Sequence, residues 1–293
     1  MADSNGHKLE DFSYYLSIER RMSPNTVASY VSDLTRFLES CRTPVGQIST
    51  EDILDYLAER SPELSKRSQA RLLSSLRSFF DWCILEGYRK ENPCDMVDAP
   101  KMGRYLPDVL SVEEVEAILE STDLSTPSGV RDRAILEFLY GCGLRVSEAC
   151  GLKLSHIYAE DGIVRVIGKG DKERLVPLGE AALRALGAYM EVRPDPAEPA
   201  FDDVVFLNRY GRPLSRVSVF NMVKKQAILA GVNKEISPHT FRHSFATHMI
   251  ENGADLRAVQ EMLGHESILT TEIYTHIDTR TWQAAVLNHH PRK

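Results

Sequence analysis

Six side chains between residues 145 and 274 are of types that can hold and attack a phosphodiester: two arginines, two histidines, a lysine and a tyrosine. They lie in the motifs G-L-R-V-S-E at 143–148, V-I-G-K-G-D-K-E-R at 166–174, S-P-H-T-F-R-H at 237–243 and L-G-H at 263–265, and at Tyr274. Tyrosine can act as a covalent nucleophile, and planar guanidinium groups grip phosphate oxygens through paired hydrogen bonds. The set therefore favours attack by a tyrosine on a phosphodiester whose charge is held by cations.

The third motif predicts the start of a helix, because Ser237 is a good N-cap residue and Pro238 suits the first helical position. His239 and Arg242 are three residues apart and so share a face in the first turn. Backbone N–H groups at that end favour an anion, so the functional interpretation is a phosphate site. The structural alternative is a capped helix whose histidine makes only local hydrogen bonds.

A zinc site is the other alternative for this motif, since His239 and His243 have the spacing of the two histidines in H-E-x-x-H proteases. Thr240 stands where those proteases have their general-base glutamate, and Phe241 and Phe245 mark the flank as core. The sequence therefore predicts no metal ion.

The other candidate residues also have ordinary interpretations. Arg145 and Glu148 form either a weak intrahelical ion pair or a guanidinium oriented for phosphate. Lys169, between two glycines, is either a solvated hairpin tip or a proton donor that reaches into a groove. His265 follows a glycine that predicts a helix end, where structural histidines are common. Tyr274 alone would usually be a half-buried packing residue.

Helical patterns dominate the elements that must position these residues. Residues 8–90 predict four helices, with starts at Ser23-Pro24 and at Ser49 or Thr50, and with a basic last helix that Gly87 ends. Further helices are predicted at 111–120, 128–141, from about 145, and at 180–190, 215–230, 237–252, 255–263, 267–277 and 279–288. Segment 156–178 changes period and predicts a β-hairpin.

A stretch with three prolines and a glycine before residue 108 interrupts any helical pattern and predicts a domain boundary. We expect an N-terminal helical domain over 1–100, a linker over 101–110 and a larger domain over 111–293. The predicted fold is mainly α: an N-terminal helical bundle, followed by an α+β domain with a small antiparallel β-hairpin or sheet.

Composition is that of an ordinary globular protein of 293 residues, with a net charge of −7. Five cysteines without a C-x-x-C pair, a polar start and no long apolar run lead us to expect a cytosolic protein without a signal or membrane span. The negative net charge argues only mildly against nucleic acid as a partner, because the basic stretch 64–90 gives one helix a positive face. An ordinary solvated face explains that stretch equally well.

Together, G-L-R-V-S-E, G-K-G-D-K-E-R-L-V-P-L, S-P-H-T-F-R-H, L-G-H and I-Y-T-H resemble the tyrosine recombinase family, and the resemblance runs over the whole chain. Within that family the sequence is most similar to the Xer recombinases, which resolve chromosome dimers. The resemblance implies a SAM-like, core-binding fold for the N-terminal bundle and a catalytic role for the second domain. Six catalytic positions follow from it: the nucleophile Tyr274, the phosphate clamp Arg145 and Arg242, the pocket histidines His239 and His265, and the acid Lys169.

The resemblance also implies partners. These are double-stranded DNA with a specific site, a tetramer of protomers on two such sites, a paralogous recombinase and the septal DNA translocase, all in the bacterial cytoplasm and without cofactor or membrane. Glu148 would support the site, and four basic residues would face DNA: Lys66, Arg67, Arg71 and Arg77. The tail with Trp282, Val286 and Leu287 either packs on its own domain or docks on a neighbouring protomer.

Three other functions remain open. The first is an integrase or transposase of a mobile element, which uses the same chemistry. The second is a type IB topoisomerase, and the third is a DNA-binding regulator without catalysis, which the complete set of six residues disfavours.

Overall fold

The chain divides into two units, Met1–Tyr105 and Leu106–Lys293. The computed structural model describes residues 3–41, 43–100, 109–168, 172–264 and 288–291. Most of the predicted linker at 101–110 lies outside the described residues, as do the predicted helix at 267–277 and nearly all of the one at 279–288.

Four α-helices form the described part of the first unit, which confirms the prediction. Ser23 accepts a hydrogen bond from the Thr26 N–H at 3.3 Å, with Pro24 as the first helical residue, and Ser49 shares a capping box with Asp52. The first helix begins earlier than predicted and continues into a π-helical turn. The helices are α1 Asp3–Tyr14, α2 Pro24–Ser40, α3 Thr50–Arg60 and α4 Lys66–Leu85.

Aromatic side chains build the core of the first unit. Phe12 meets Phe79 edge-on with ring centroids 5.3 Å apart, and Phe37 meets Tyr56 in the same way at 5.0 Å. Six apolar residues of α4 at helical spacing are buried, namely Leu72, Leu73, Leu76, Phe79, Phe80 and Cys83. The apolar stripe of α4 therefore leaves its basic residues on the remaining faces.

The second unit is helical around one small sheet. Ser111 caps its first helix in a capping box with Glu114. Its helices are α5 Val112–Glu120, α6 Pro127–Gly141, α7 Val146–Cys150, α8 Glu180–Val192, α9 Arg216–Leu229, α10 Pro238–Glu251 and α11 Leu256–Leu263. None of the helices among the described residues of the chain has the length and apolar character that crossing a bilayer requires.

The sheet contains the predicted hairpin and one strand more. Its strands are β1 Ile157–Tyr158, β2 Ile163–Ile167 and β3 Glu173–Pro177, paired antiparallel in the order β1-β2-β3. Val164 pairs with Val176 and Val166 with Arg174. Residues paired across an antiparallel sheet project from the same face, so Arg174 shares the buried face of the three valines. A mainly α fold with a small antiparallel sheet was predicted, and it is confirmed.

The described residues 288–291 pack within the second unit. The ring of His290 is 1% exposed and packs against Tyr140 and Phe245, with centroids 4.9 and 5.4 Å away. The Asn252 side-chain amide donates to the backbone oxygen of His289 at 2.9 Å. Residues 289 and 290 thus contact α6 and α10 of their own unit, whereas Trp282, Val286 and Leu287 lie outside the described residues.

Candidate active site

Arg145 stands at the N-cap of α7 and is tied to Glu148 one turn later. The backbone N–H of Arg145 donates to Glu148 Oε2 at 2.8 Å, and its guanidinium Nη1 donates to Oε1 at 2.9 Å. This local arrangement follows from the three-residue spacing, since a carboxylate at the third helical position reaches back to the cap. Glu148 therefore orients Arg145, while the Arg145 side chain stays 32% exposed.

Arg242 reaches the same carboxylate from α10. That helix begins at Pro238 as predicted, with the Ser237 N–H donating to Thr240 Oγ1 at 3.1 Å. Arg242 Nη1 donates to the Gly143 carbonyl at 2.6 Å and lies 3.9 Å from Glu148 Oε2, and Nη2 donates to the Leu263 carbonyl. Two arginines almost a hundred residues apart thus converge on one acidic side chain.

Gly143 makes this convergence sterically possible. Its φ is +58°, which non-glycine residues rarely adopt. A Cβ atom built there would lie 2.7 Å from Phe245 Cδ1 and 3.0 Å from Leu263 Cδ2. The backbone just before Arg145 therefore packs directly on α10 and on the end of α11.

Arg174 is the residue of the site that the sequence interpretation missed. Its Nη1 and Nη2 donate to Glu148 Oε1 and Oε2, each at 2.8 Å, and its Nε donates to the Met262 carbonyl at 2.7 Å. A signal was present, because Arg174 and Val176 are two positions apart on the predicted strand and therefore lie on the same face. A charge at an inward position of a strand requires a buried partner.

The end of α11 completes the described part of the site. Gly264 has φ +63° and ends the helix as predicted, and its N–H donates to the Glu261 carbonyl at 2.9 Å. The Gly264 carbonyl accepts a hydrogen bond from Arg145 Nη2 at 3.3 Å. The helix stop is therefore bound directly to the arginine cluster.

The cluster carries an excess of positive charge. Burial alone would raise the pKa of Glu148, but hydrogen bonds and charge from Arg174, and then Arg145, hold that pKa below its ordinary value. Burial and the neighbouring charge of Arg145 lower the pKa of Arg242 to about 9, against the opposing effect of Glu148. Arg242 is still protonated at neutral pH. Three guanidinium groups around one carboxylate leave two positive charges uncompensated within the cluster, so the site is suited to an anion.

Three of the predicted catalytic residues, Lys169, His265 and Tyr274, lie outside the described residues. In the sequence, Lys169 follows Gly168 and His265 follows Gly264, and both glycines lie beside the cluster. A Cβ atom built on Gly168 would lie 3.6 Å from Arg174 Nη1 and 3.7 Å from Glu148 Oε1, and Gly264 binds Arg145.

His239 is the second residue of α10 and is exposed, one turn before the buried Arg242. Phe241 and Phe245 are fully buried, which confirms that this flank of the helix is core. In the described part of the chain, no three histidine, cysteine or acidic side chains are grouped so that they could hold a metal ion.

The four basic residues predicted to face DNA fall into two pairs. Lys66 and Arg67 are exposed in the first turn of α4. Arg71 donates to Asp33 Oδ2 at 2.5 Å, and Arg77 donates to the carbonyl oxygens of Val97 and, at 3.4 Å, of Cys94. Arg71 and Arg77 thus make contacts within their own unit. Of these four residues, Lys66 and Arg67 take part in none of the contacts described above.

Comparison with known proteins identifies the family. Residues 108–280 match the phage integrase family. The chain belongs to this family of tyrosine recombinases. A second match covers residues 9–87 and corresponds to the N-terminal SAM-like domain of phage integrases. The predicted SAM-like character of the N-terminal bundle is thereby confirmed.

The relatives of this recombinase are of the Xer type. It is 45% identical over 292 residues to tyrosine recombinase XerD of Chlorobaculum tepidum, covering 97% of this chain and 96% of the relative. It is 42% identical to tyrosine recombinase XerD of Staphylococcus aureus, covering 97% and 98%. The crystal structure of XerH recombinase, bound to a palindromic difH substrate in a post-cleavage complex, superposes with a TM-score of 0.71 at 25% identity, covering 91% of this chain and 80% of XerH. The chain is accordingly a Xer-type enzyme of site-specific recombination.

Proposed function

We propose that the chain cuts and rejoins DNA through a covalent 3′-phosphotyrosine on Tyr274, and that it resolves chromosome dimers at a specific site during bacterial cell division. The observation that carries the proposal is the meeting of Arg145 and Arg242 at Glu148, where positive charge is in excess. Similarity to XerD over nearly the whole chain supports the chromosomal role over that of a mobile-element integrase.

The reaction conserves the energy of the broken bond. The Tyr274 oxygen attacks the phosphorus, a P–O bond to tyrosine forms, and the bond to the 5′ oxygen breaks, which leaves a free 5′-hydroxyl. Attack by the 5′-hydroxyl of another strand then reverses these steps and releases the tyrosine. The scheme needs no ATP.

The two arginines supply the electrostatic part of catalysis. Negative charge grows on the nonbridging phosphate oxygens in the transition state, and guanidinium groups that are protonated at neutral pH hold it without a change of protonation. Arg145 is the more accessible of the two, with an exposed third of its side chain, so it reaches the phosphate while Glu148 fixes its orientation. Such a cationic pocket takes the place that metal ions have in many phosphoryl transfers.

The remaining predicted residues transfer protons or hydrogen-bond the phosphate, and these roles follow from the family resemblance. Tyrosine has a reference pKa of about 10, so it must lose a proton as it attacks, and His239 is the proposed base. His265 hydrogen-bonds the phosphate. Lys169 gives a proton to the departing 5′ oxygen, which is otherwise a poor leaving group. The positions of Gly168 and Gly264 beside the cluster support the last two roles.

DNA binding and assembly extend the proposal. Both units hold double-stranded DNA, with Lys66 and Arg67 on phosphates, and four protomers act on two sites. The DNA-bound XerH structure supports DNA as the partner. A paralogous recombinase, the septal DNA translocase and a cytoplasmic location remain predictions.

The decisive experiment uses a nicked suicide substrate, in which the cut strand loses the segment needed for rejoining. We expect the full chain to form a phosphatase-resistant protein–DNA adduct on a candidate chromosomal dimer-resolution site. Tyr274→Phe should form none and should still shift DNA in a gel. Tyr210→Phe removes a hydroxyl from an exposed tyrosine on the second unit and is the matched control that should retain the adduct.

Three outcomes would overturn the proposal or part of it. An adduct that survives in Tyr274→Phe would exclude that residue as the nucleophile. Relaxation of a supercoiled plasmid without any special site would indicate a topoisomerase. If the wild-type chain bound DNA but formed no adduct on any of a panel of sites, the result would indicate a non-catalytic regulator.

A further inference from the structure

Arg174 is the most deeply buried arginine of the site. Its side chain is 4% exposed, against 9% for Arg242 and 32% for Arg145. Three of its five N–H groups bind Glu148 and the Met262 carbonyl, all inside the unit. It is therefore placed behind the two arginines assigned to the phosphate, and it does not face DNA.

Three successive carbonyl groups at the end of α11 each accept from a different arginine of this cluster. Met262 accepts from Arg174 at 2.7 Å, Leu263 from Arg242, and Gly264 from Arg145 at 3.3 Å. The last carbonyl groups of a helix lack partners within the helix and attract positive charge. The end of α11 and the carboxylate of Glu148 thus hold the same three guanidinium groups from two sides.

We propose that Arg174 is a positioning residue for recombination, which fixes Glu148 and the end of α11 so that Arg145 and Arg242 present their remaining N–H groups to the scissile phosphate. The inference rests on the function proposed above for those two arginines. Glu148 accepts four hydrogen bonds, and Arg174 supplies two of them, one to each oxygen. Without Arg174, both oxygens would lose a partner and the carboxylate could rotate.

Only an arginine can make this set of contacts. A guanidinium is a planar fork whose two Nη groups match a carboxylate while Nε points elsewhere. A lysine would keep the positive charge at this position, but its ammonium group would contact the carboxylate of Glu148 from one point and could not bind both oxygens as a planar fork does. Arg174→Lys should therefore preserve much of the buried ion pairing and lose the fixed orientation.

The experiment compares Arg174→Lys and Arg174→Met with wild type in the full chain, using single-turnover cleavage of the suicide substrate and DNA affinity measured by gel shift. The matched control is Arg165→Lys on the neighbouring strand β2. Arg165 projects from the face of the sheet opposite to Val164 and Val166, and its guanidinium lies 3.7 Å from the carboxylate of Glu173. We expect DNA affinity to stay within about threefold, because Arg174 does not face DNA. Cleavage should slow about 100-fold, the cost typical of a displacement of about 1 Å at a reacting centre.

A second substrate separates positioning from simple support of the fold. A methylphosphonate at the scissile position removes one nonbridging charge, so it lowers the demand for well-placed cations. The rate ratio of wild type to Arg174→Lys should fall at least tenfold on this substrate, and Arg145→Ala should show the same fall. Calorimetry on each variant establishes that it is folded; if Arg174→Met is not, the Lys variant alone decides.

Clear results would overturn the inference. Equal slowing on both substrates, or a loss of cleavage that only follows a loss of DNA affinity, would assign Arg174 to the fold alone. Wild-type rates in Arg174→Lys would show that its geometry is irrelevant. Absence of any adduct with the wild-type chain would instead refute the proposed function, so the two failures are distinguishable.

Discussion

Replacing Glu148 by glutamine should destabilise the second unit strongly while changing almost no volume. The Glu148 side chain is 3% exposed, and its two oxygens accept four hydrogen bonds from Arg145 and Arg174, with Arg242 at 3.9 Å. Glutamine keeps one acceptor and places an amide donor where the other oxygen now accepts. Three guanidinium groups would then share a buried site without a carboxylate.

The magnitude follows from these contacts. Removing one partner of a buried, hydrogen-bonded ion pair costs about 3–5 kcal/mol, because the remaining charge is left uncompensated. For a unit of this size each kcal/mol lowers the melting temperature by roughly 2–4 °C, so a fall of about 6–20 °C is expected. Glu148→Gln should also respond more than wild type to added sulfate, since its cluster has one more uncompensated positive charge.

Calorimetry of the full chain is the assay, with Asp33→Asn as control. Asp33 accepts from Arg71 in the first unit, but Arg71 is 43% exposed, so the control should cost less and should shift the transition of the other unit. A shift below about 1 kcal/mol for Glu148→Gln would refute the reasoning, because it would mean that the cluster does not depend on its carboxylate.

The same comparison predicts a pH dependence. Burial alone would raise the pKa of Glu148, but the hydrogen bonds and charge of Arg174 and then Arg145 together hold that pKa below its ordinary value in the folded state. Its stabilising contribution is therefore complete above the unfolded-state pKa of about 4.3 and is lost as the pH falls through the folded-state value. The difference in melting temperature between wild type and Glu148→Gln should be constant near neutral pH and shrink below about pH 4.

Three further predictions concern separate parts of the molecule. Gly143→Ala should cost about 1–3 kcal/mol in calorimetry, because its Cβ would lie 2.7 Å from Phe245 at a positive φ; an unchanged melting temperature would contradict the packing described here. Lys66→Ala and Arg67→Ala should each reduce the slope of log affinity against log salt by about 1, and an unaltered slope would remove that residue from the DNA contact. Lys169→Ala should slow cleavage of normal DNA, and a substrate with a 5′-bridging sulfur should restore the rate, because a thiolate is a good leaving group that needs no proton from an acid. Absence of this rescue would argue against the acid role.

The helix bounds marked by caps and glycine stops were predictable because these signals are local. Ser23, Ser49 and Ser111 cap helices through bonds to residues three positions on, and Gly264 ends α11 through its own backbone conformation. The same locality made the contact of Arg145 with Glu148 predictable, since the two residues are three positions apart at the start of a helix. The hairpin followed from alternation and turn residues, whereas the two-residue strand β1 is too short to show a period.

The contacts of the basic residues on α4 were not predictable. The sequence placed Arg67, Arg71 and Arg77 on one polar face. In the structure, Arg71 binds Asp33, which is 38 positions away, and Arg77 binds backbone oxygens 17 and 20 positions away. A helical pattern states which face a residue occupies and not what packs beside it. Which of these cations make contacts within the unit is therefore a property of the packed bundle.

By itself, the sequence determined the kinds of chemistry available, the family to which those motifs belong and the local elements that carry them. Only the tertiary structure decided that Arg174 belongs to the site, because it meets Glu148 across 26 residues and Met262 across 88. It also decided that Arg242 is buried while Arg145 is open to solvent. The physical reason is range: caps and turns depend on hydrogen bonds within a few residues, whereas a shared carboxylate and a helix end held by three arginines exist only once distant segments pack together.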